Sequence, residues 1–191
     1  MKPEADARLD AVLIGGREKR AIVIVDYDPS WTQRFEALAQ TIRDAAGEKA
    51  VSVEHIGSTA VPGLAAKPII DVLLTVMDVE DEAAYIPALE EAGFVLRVRE
   101  LGHRMLRTPA KDVHVHVFHP GDDAVPKYRD LRDWLRVDEA DRTLYADTKK
   151  LLARQRWSDM NDYADAKTEV ISQILAHATV WREHHSASNR V

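Results

Sequence analysis

HIGSTAVPGLAAKPIIDVLLTV, residues 55–76, sets a Gly-Ser pair at the end of one apolar run and a lone aspartate, Asp71, inside the next. A buried strand has no need of a carboxylate. A phosphate or metal site does, because both demand a short backbone approach and a fixed negative charge. The flanking segments VSVEHI (51–56) and PIIDVLLTV (68–76) read as strands, the second apolar on both faces like a covered central strand. At the turn between them, Gly57 lets the chain approach a ligand closely. Exposed amides with the hydroxyls of Ser58 and Thr59 can hold phosphate oxygens there. Asp71, on the adjacent strand, can hold a Mg²⁺ ion that bridges the same oxygens.

Outward from this stretch the chain alternates strands and helices. AIVIVDYD (21–28) reads as a strand ending near Asp26. The helix after it has clear ends: Asp28 can cap it, Pro29 suits its first position and Gly47 follows its last turn. Trp31, Phe35, Leu38 and Ile42 form one apolar stripe on that helix. Residues 79–93 predict a helix that starts late or bends at Pro87 and stops at Gly93. FVLRVRE, HRMLRT and DVHVHVF predict three more strands, the last in strict alternation. Beyond HPGDDAVP the patterns are helical. The expected layout is an α/β (α+β) core over residues 20–120 and a helical subdomain over 121–185 packed on it. Residues 1–10 and 186–191 are expected to be loose.

Composition narrows the function. The chain has 191 residues, a formal net charge of −6 and no cysteine. That excludes a disulfide framework, a thiolate zinc site and a cysteine nucleophile. The acidic balance argues against broad nucleic-acid or membrane-surface binding, though a local basic pocket remains compatible with it. The first residues do not read as a secretory signal, and no apolar run is long enough to span a bilayer. A cytoplasmic protein is the expectation, with its oligomeric state left open.

DVHVHVF points Val113, Val115 and Val117 one way and His114 and His116 the other. Two imidazoles side by side could act as metal ligands or as a general base, and His55, just before the Gly-Ser turn, could converge on them with Asp71. Histidine suits zinc, nickel or copper better than magnesium. The same rings could instead hydrogen-bond a phosphate without any metal. Lys67 could neutralise a phosphate. Of the arginines, Arg104 is taken as the pocket residue, while Arg97, Arg99 and Arg107 are read as surface charges, the first two on one strand face. YADTK and YADAK each place a tyrosine one helical turn before a lysine, Tyr145 with Lys149 and Tyr163 with Lys167. Arg132 and Asp133 suggest a salt bridge or cap, and Trp134 a core position.

Together, HIGSTAVPGLAAKPIIDV, HRMLRT, DVHVHVF, RDWL and the two YAD-x-K segments resemble the GrpB-like family, a branch of the nucleotidyltransferase-fold superfamily. The resemblance runs from about Val23 to Ala178. It implies a mixed β-sheet flanked by helices, with Gly57 and Ser58 as the phosphate-contacting pair and Asp71 as the first metal carboxylate. It also implies that Lys149 and Lys167 reach a triphosphate. Active nucleotidyltransferases usually carry a second carboxylate two residues after the first, where this chain has Leu73. The comparable neighbouring strand offers His114 and His116 in place of a third. Three readings follow: a nucleotidyl transferase using Mg²⁺ or Mn²⁺, a non-catalytic domain for a nucleotide or coenzyme, and a zinc-like site at His55, His114 and His116. Related domains occur fused to dephospho-coenzyme A kinase, which implies a link to coenzyme A. This chain has no Walker-type segment, so it does not read as that kinase.

Overall fold

The computed structural model describes residues 7 and 9–188, with side chains to residue 184. Five strands form one mixed sheet in the order β1-β2-β5-β4-β3. They are β1 (Ser52–Ile56), β2 (Ile70–Thr75), β3 (Val95–Glu100), β4 (His103–Arg107) and β5 (Val113–Phe118). The β2–β5 pair is parallel and the others are antiparallel.

Helix α1 (Ser30–Ala46) covers one face of the sheet. The Asp28 carboxylate accepts the Ser30 amide at 2.8 Å, which tightens the entry to the helix. Trp31, Phe35, Ala39 and Ile42 are buried and pack against Val72, Val115 and Leu106. Leu38 is only half-buried at the edge of that cluster. The expected helix at 79–93 is divided into a 3₁₀ turn at Glu82–Ala84 and α2 (Ile86–Glu91), with Pro87 in the first turn. Pro87 has no amide hydrogen to give, so a helix can begin there but not run through it.

The strand expected at residues 21–28 is absent. Val25 makes one isolated antiparallel bridge to Ala66, and Val23 and Val25 stay exposed. An apolar run becomes a strand only where a sheet edge is free to pair with it, and Ala66 in an irregular loop offers one position.

The C-terminal helices are α3 (Ala124–Val137), α4 (Glu139–Ala153), α5 (Met160–Asp165) and α6 (Thr168–Ser188). Asp159 accepts the amides of Asn161 and Asp162, which starts α5 and separates it from α4. The helices are not a separate body. Leu135, Tyr145, Val170 and Ile174 share a buried cluster with Val61 and Leu64 from the β1–β2 connection. The looseness expected at the ends falls largely outside the described residues. Residues 9–12 are helical, however, and α6 continues through 186–188. No helix among the described residues is long and apolar enough to cross a membrane.

Candidate functional site

The register of the sheet assembles the centre of the site. Asp71 pairs with Ile56 on one side and His114 on the other, so these side chains rise from the same face, away from α1. His114 Nδ1 lies 3.3 Å from Asp71 Oδ1, and His116 Nε2 lies 3.9 Å from it. The three donor atoms all fall within 4.8 Å of one another. His116 is steadied by His103, whose Nε2 is 3.4 Å from its Nδ1, and by the ring of Tyr128. Burial opposes charge on Asp71, but the hydrogen bonds and charge of His114 and His116 prevail and hold its carboxyl well below the ordinary range. It is an anion throughout the neutral range.

Gly57 closes the opposite side. A Cβ there would stand 2.5 Å from Asp71 Oδ2, and φ is +71°. Leu73 is fully buried with Ile56, Phe118 and Val125. The position of a second carboxylate is thus an apolar plug.

Above Asp71 opens a cavity of about 460 Å³. Ser58, Lys67, Lys149 and Lys167 line it. Lys149 Nζ donates to Ser58 Oγ at 2.9 Å and to the Ala65 carbonyl, and sits 4.4 Å from the centroid of the Tyr145 ring. Lys67 and Lys167 both lie over Tyr163, at 5.1 and 4.9 Å. Burial, reinforced by repulsion from Lys167 and Lys67, lowers the Lys149 pKa to about 7. Burial and repulsion from Lys67 bring Lys167 to about 8. Lys67 is lowered too, chiefly by burial. None of the three forms an ion pair with a carboxylate among the described residues.

Three expected site residues stand elsewhere. His55 pairs with Val72 and therefore faces α1, where it stacks on Phe35 and meets Thr59 Oγ1 at 3.0 Å. Strand alternation puts it on the wrong side of the sheet to join the other histidines, and burial lowers its pKa to about 4. Thr59 also turns inward, its hydroxyl donating to the Ile69 carbonyl at 3.1 Å. Arg104 faces α1 as well, buried in ion pairs with Glu80 and Glu82. Its neighbours His103, Met105 and Arg107 take the site face instead.

Arg97 was expected on one face with Arg99, but a bulge between Leu96 and Val98 breaks the alternation. Arg97 and Arg107 line the cavity, while Arg99 pairs with Glu82 on the far side. Arg132 does pair with Asp133, at 2.7 Å, yet it also lines the cavity and binds Glu54. Trp134 is half-buried and donates its indole N–H to Asp141 at 2.6 Å. Tyr128 escaped sequence reasoning, and the readings of Arg107 as a surface charge and of Arg132 as a salt-bridge residue missed their place in the cavity. The alternation of HRMLR opposite DVHVHV was the one available signal for Arg107.

Sheet, helices and a cation-lined cavity over Asp71 define an α+β protein built on one mixed five-stranded sheet. Residues 21–177 match the family described as GrpB protein, and the chain belongs to that family. A UPF0157 protein of Streptomyces coelicolor is 51% identical over 166 residues, covering 87% of this chain and 89% of that one. The crystal structure of the conserved protein GrpB from Enterococcus faecalis superimposes with a TM-score of 0.75 at 34% identity, covering 83% of this chain and 99% of that one. A dephospho-CoA kinase of Mycobacterium leprae is 28% identical over 193 residues, covering 84% of this chain but 47% of that protein.

Proposed function

We propose that the protein binds a phosphate-bearing small molecule, a nucleotide or a related coenzyme, in the cavity above Asp71. The observation that carries this is the convergence of Lys67, Lys149 and Lys167, none in a direct ion pair with a carboxylate among the described residues, on one pocket of an acidic protein. Buried cations that repel one another are costly unless an anion joins them. Ser58, held by Lys149, is positioned to meet a phosphate oxygen alongside the lysines. The relative named dephospho-CoA kinase supports a coenzyme A-related ligand.

Asp71, His114 and His116 are the residues that would hold a divalent cation. One carboxylate and two imidazoles suit Zn²⁺ or Mn²⁺ better than Mg²⁺, and Leu73 leaves no bridging ligand for a second ion. Such a cation would polarise a phosphate oxygen when bound. The second reading, nucleotidyl transfer, is favoured by the imidazole of His114 beside Asp71, where it could accept a proton from an attacking hydroxyl.

Thermal shift and calorimetry with pyrophosphate, ATP, coenzyme A precursors, Mn²⁺ and Zn²⁺ test both. Stabilisation by a phosphate compound that disappears in Lys149→Met and Lys167→Met is the expected result. Failure of every phosphate compound to bind would remove the proposal. Turnover of ATP with Mn²⁺ that Asp71→Ala abolishes would select the transferase reading.

A further inference from the structure

Asp71, His114 and Arg107 form one row across β2, β5 and β4, since His114 is the direct partner of both others. Adjacent strands lie roughly 4.8 Å apart, so Arg107 stands about 10 Å from Asp71 on the same face. This end of the cavity is not formed by the sheet alone. Residues 13–20 cross it as a strap: Leu13 bridges to Val98, and Met160 donates its amide to the Glu18 carbonyl at 3.1 Å. The family match begins at residue 21, so the strap lies outside it. Gly15 and Gly16, at φ of +83° and +72°, turn it, and the Arg97 guanidinium donates to the carbonyls of Ile14 and Gly16.

The strap carries a carboxylate into the cavity. Glu18 accepts two hydrogen bonds from Arg107, at 2.6 and 3.0 Å, and lies 3.0 Å from Lys111 Nζ. Lys111 holds φ of +62°, a conformation a lysine rarely adopts, in the turn between β4 and β5. Arg107 and Lys111 gather round this one carboxylate, and Arg97 and Arg20 line the same cavity. A bidentate arginine with a nearby lysine is the chemistry that recognises a phosphate. Here the protein's own anion fills it.

We infer that Arg107 and Lys111 form a second anion subsite, held in the free protein by Glu18, and that the ligand carries two separate phosphates. Its class is a nucleotide with a further phosphate on the ribose, one anionic end at the lysines and the other displacing Glu18. This rests on the phosphate-binding reading above and extends it to the far end of the cavity.

Calorimetry with pyrophosphate, ADP and adenosine 3′-phosphate 5′-diphosphate tests it on the full chain. The doubly phosphorylated nucleotide should bind roughly tenfold tighter than ADP, the worth of one charge-assisted contact. Arg107→Met should bring the two nucleotides level. Glu18→Gln should widen the gap several-fold, because a neutral amide competes less well for the arginine, and this variant keeps the test open if Arg107→Met does not fold. Equal binding of the two nucleotides, unmoved by Glu18→Gln, overturns the subsite even if pyrophosphate binds. If none of the three binds, the subsite falls; if ATP and the coenzyme A precursors fail as well, the phosphate-binding reading falls with it.

Discussion

No side chain fits at position 57, because Asp71 Oδ2 already occupies the space a Cβ would need and the backbone is left-handed there. Gly57→Ala is expected to cost about 1–3 kcal/mol in urea unfolding, from clash and strain together. It should also weaken Mn²⁺ or Zn²⁺ binding by pushing Asp71 off its histidines. Lys149 is the second decisive residue. Its folded-state pKa is about 7, against an ordinary 10.5. Between those values the unfolded chain holds a proton that the native one has released, so stability from this group rises with pH from about 7 to 10.5 and is lowest below 7. Lys149→Met should flatten that rise in chemical denaturation, raise stability at pH 7 and abolish phosphate binding. In the parent chain, an arriving phosphate favours the ammonium form, so binding near pH 8 should take up protons. Calorimetry in buffers of different ionisation enthalpy would reveal it.

At the scale of elements, the two faces of the sheet divide the work. Val113, Val115 and Val117 pack toward α1, while His114 and His116 on the same strand face the cavity. The same alternation removes Arg104 from the site and delivers Arg107 to it. Arg104→Met should destabilise the protein by about 1–3 kcal/mol, less than a fully buried ion pair would cost, because Glu80 and Glu82 are partly open to solvent. Its affinity for pyrophosphate should not change. A loss of binding in the folded variant would contradict the face assignment of β4. The bulge at Arg97 has the opposite effect, turning a residue that simple alternation would hide into one that meets the strap.

Across the whole molecule, sheet and C-terminal helices depend on one another. Ile174 on α6 is fully buried against a cluster that includes Val61 and Leu64 from the β1–β2 connection. Arg129 and Arg132 of α3 clasp Glu54 on β1 as well. Ile174→Ala should therefore lower the unfolding free energy of the entire chain by about 2–4 kcal/mol, in a single transition seen alike by helical circular dichroism and tryptophan fluorescence. Two separate transitions would show that the helices fold on their own. The lysine cluster belongs to this scale too: Lys149 comes from α4, Lys167 from the α5–α6 junction and Lys67 from the β1–β2 connection, so unfolding either part dissolves it.

Local pattern determined the strands, the helices after residue 120, the Gly57–Ser58 turn and the pairing of His114 with His116, because backbone periodicity and glycine's conformational freedom act over a few residues. The wording of HIGSTAVPGLAAKPIIDV was enough to indicate the family. Tertiary structure alone decided which face each strand residue serves: it sent His55, Thr59 and Arg104 inward and brought Arg107 and Arg132 to the cavity. It also denied residues 21–28 a partner edge. Register, bulges and strand pairing depend on contacts between segments far apart in the chain, and a period-2 pattern carries no mark of which of its two faces will meet solvent.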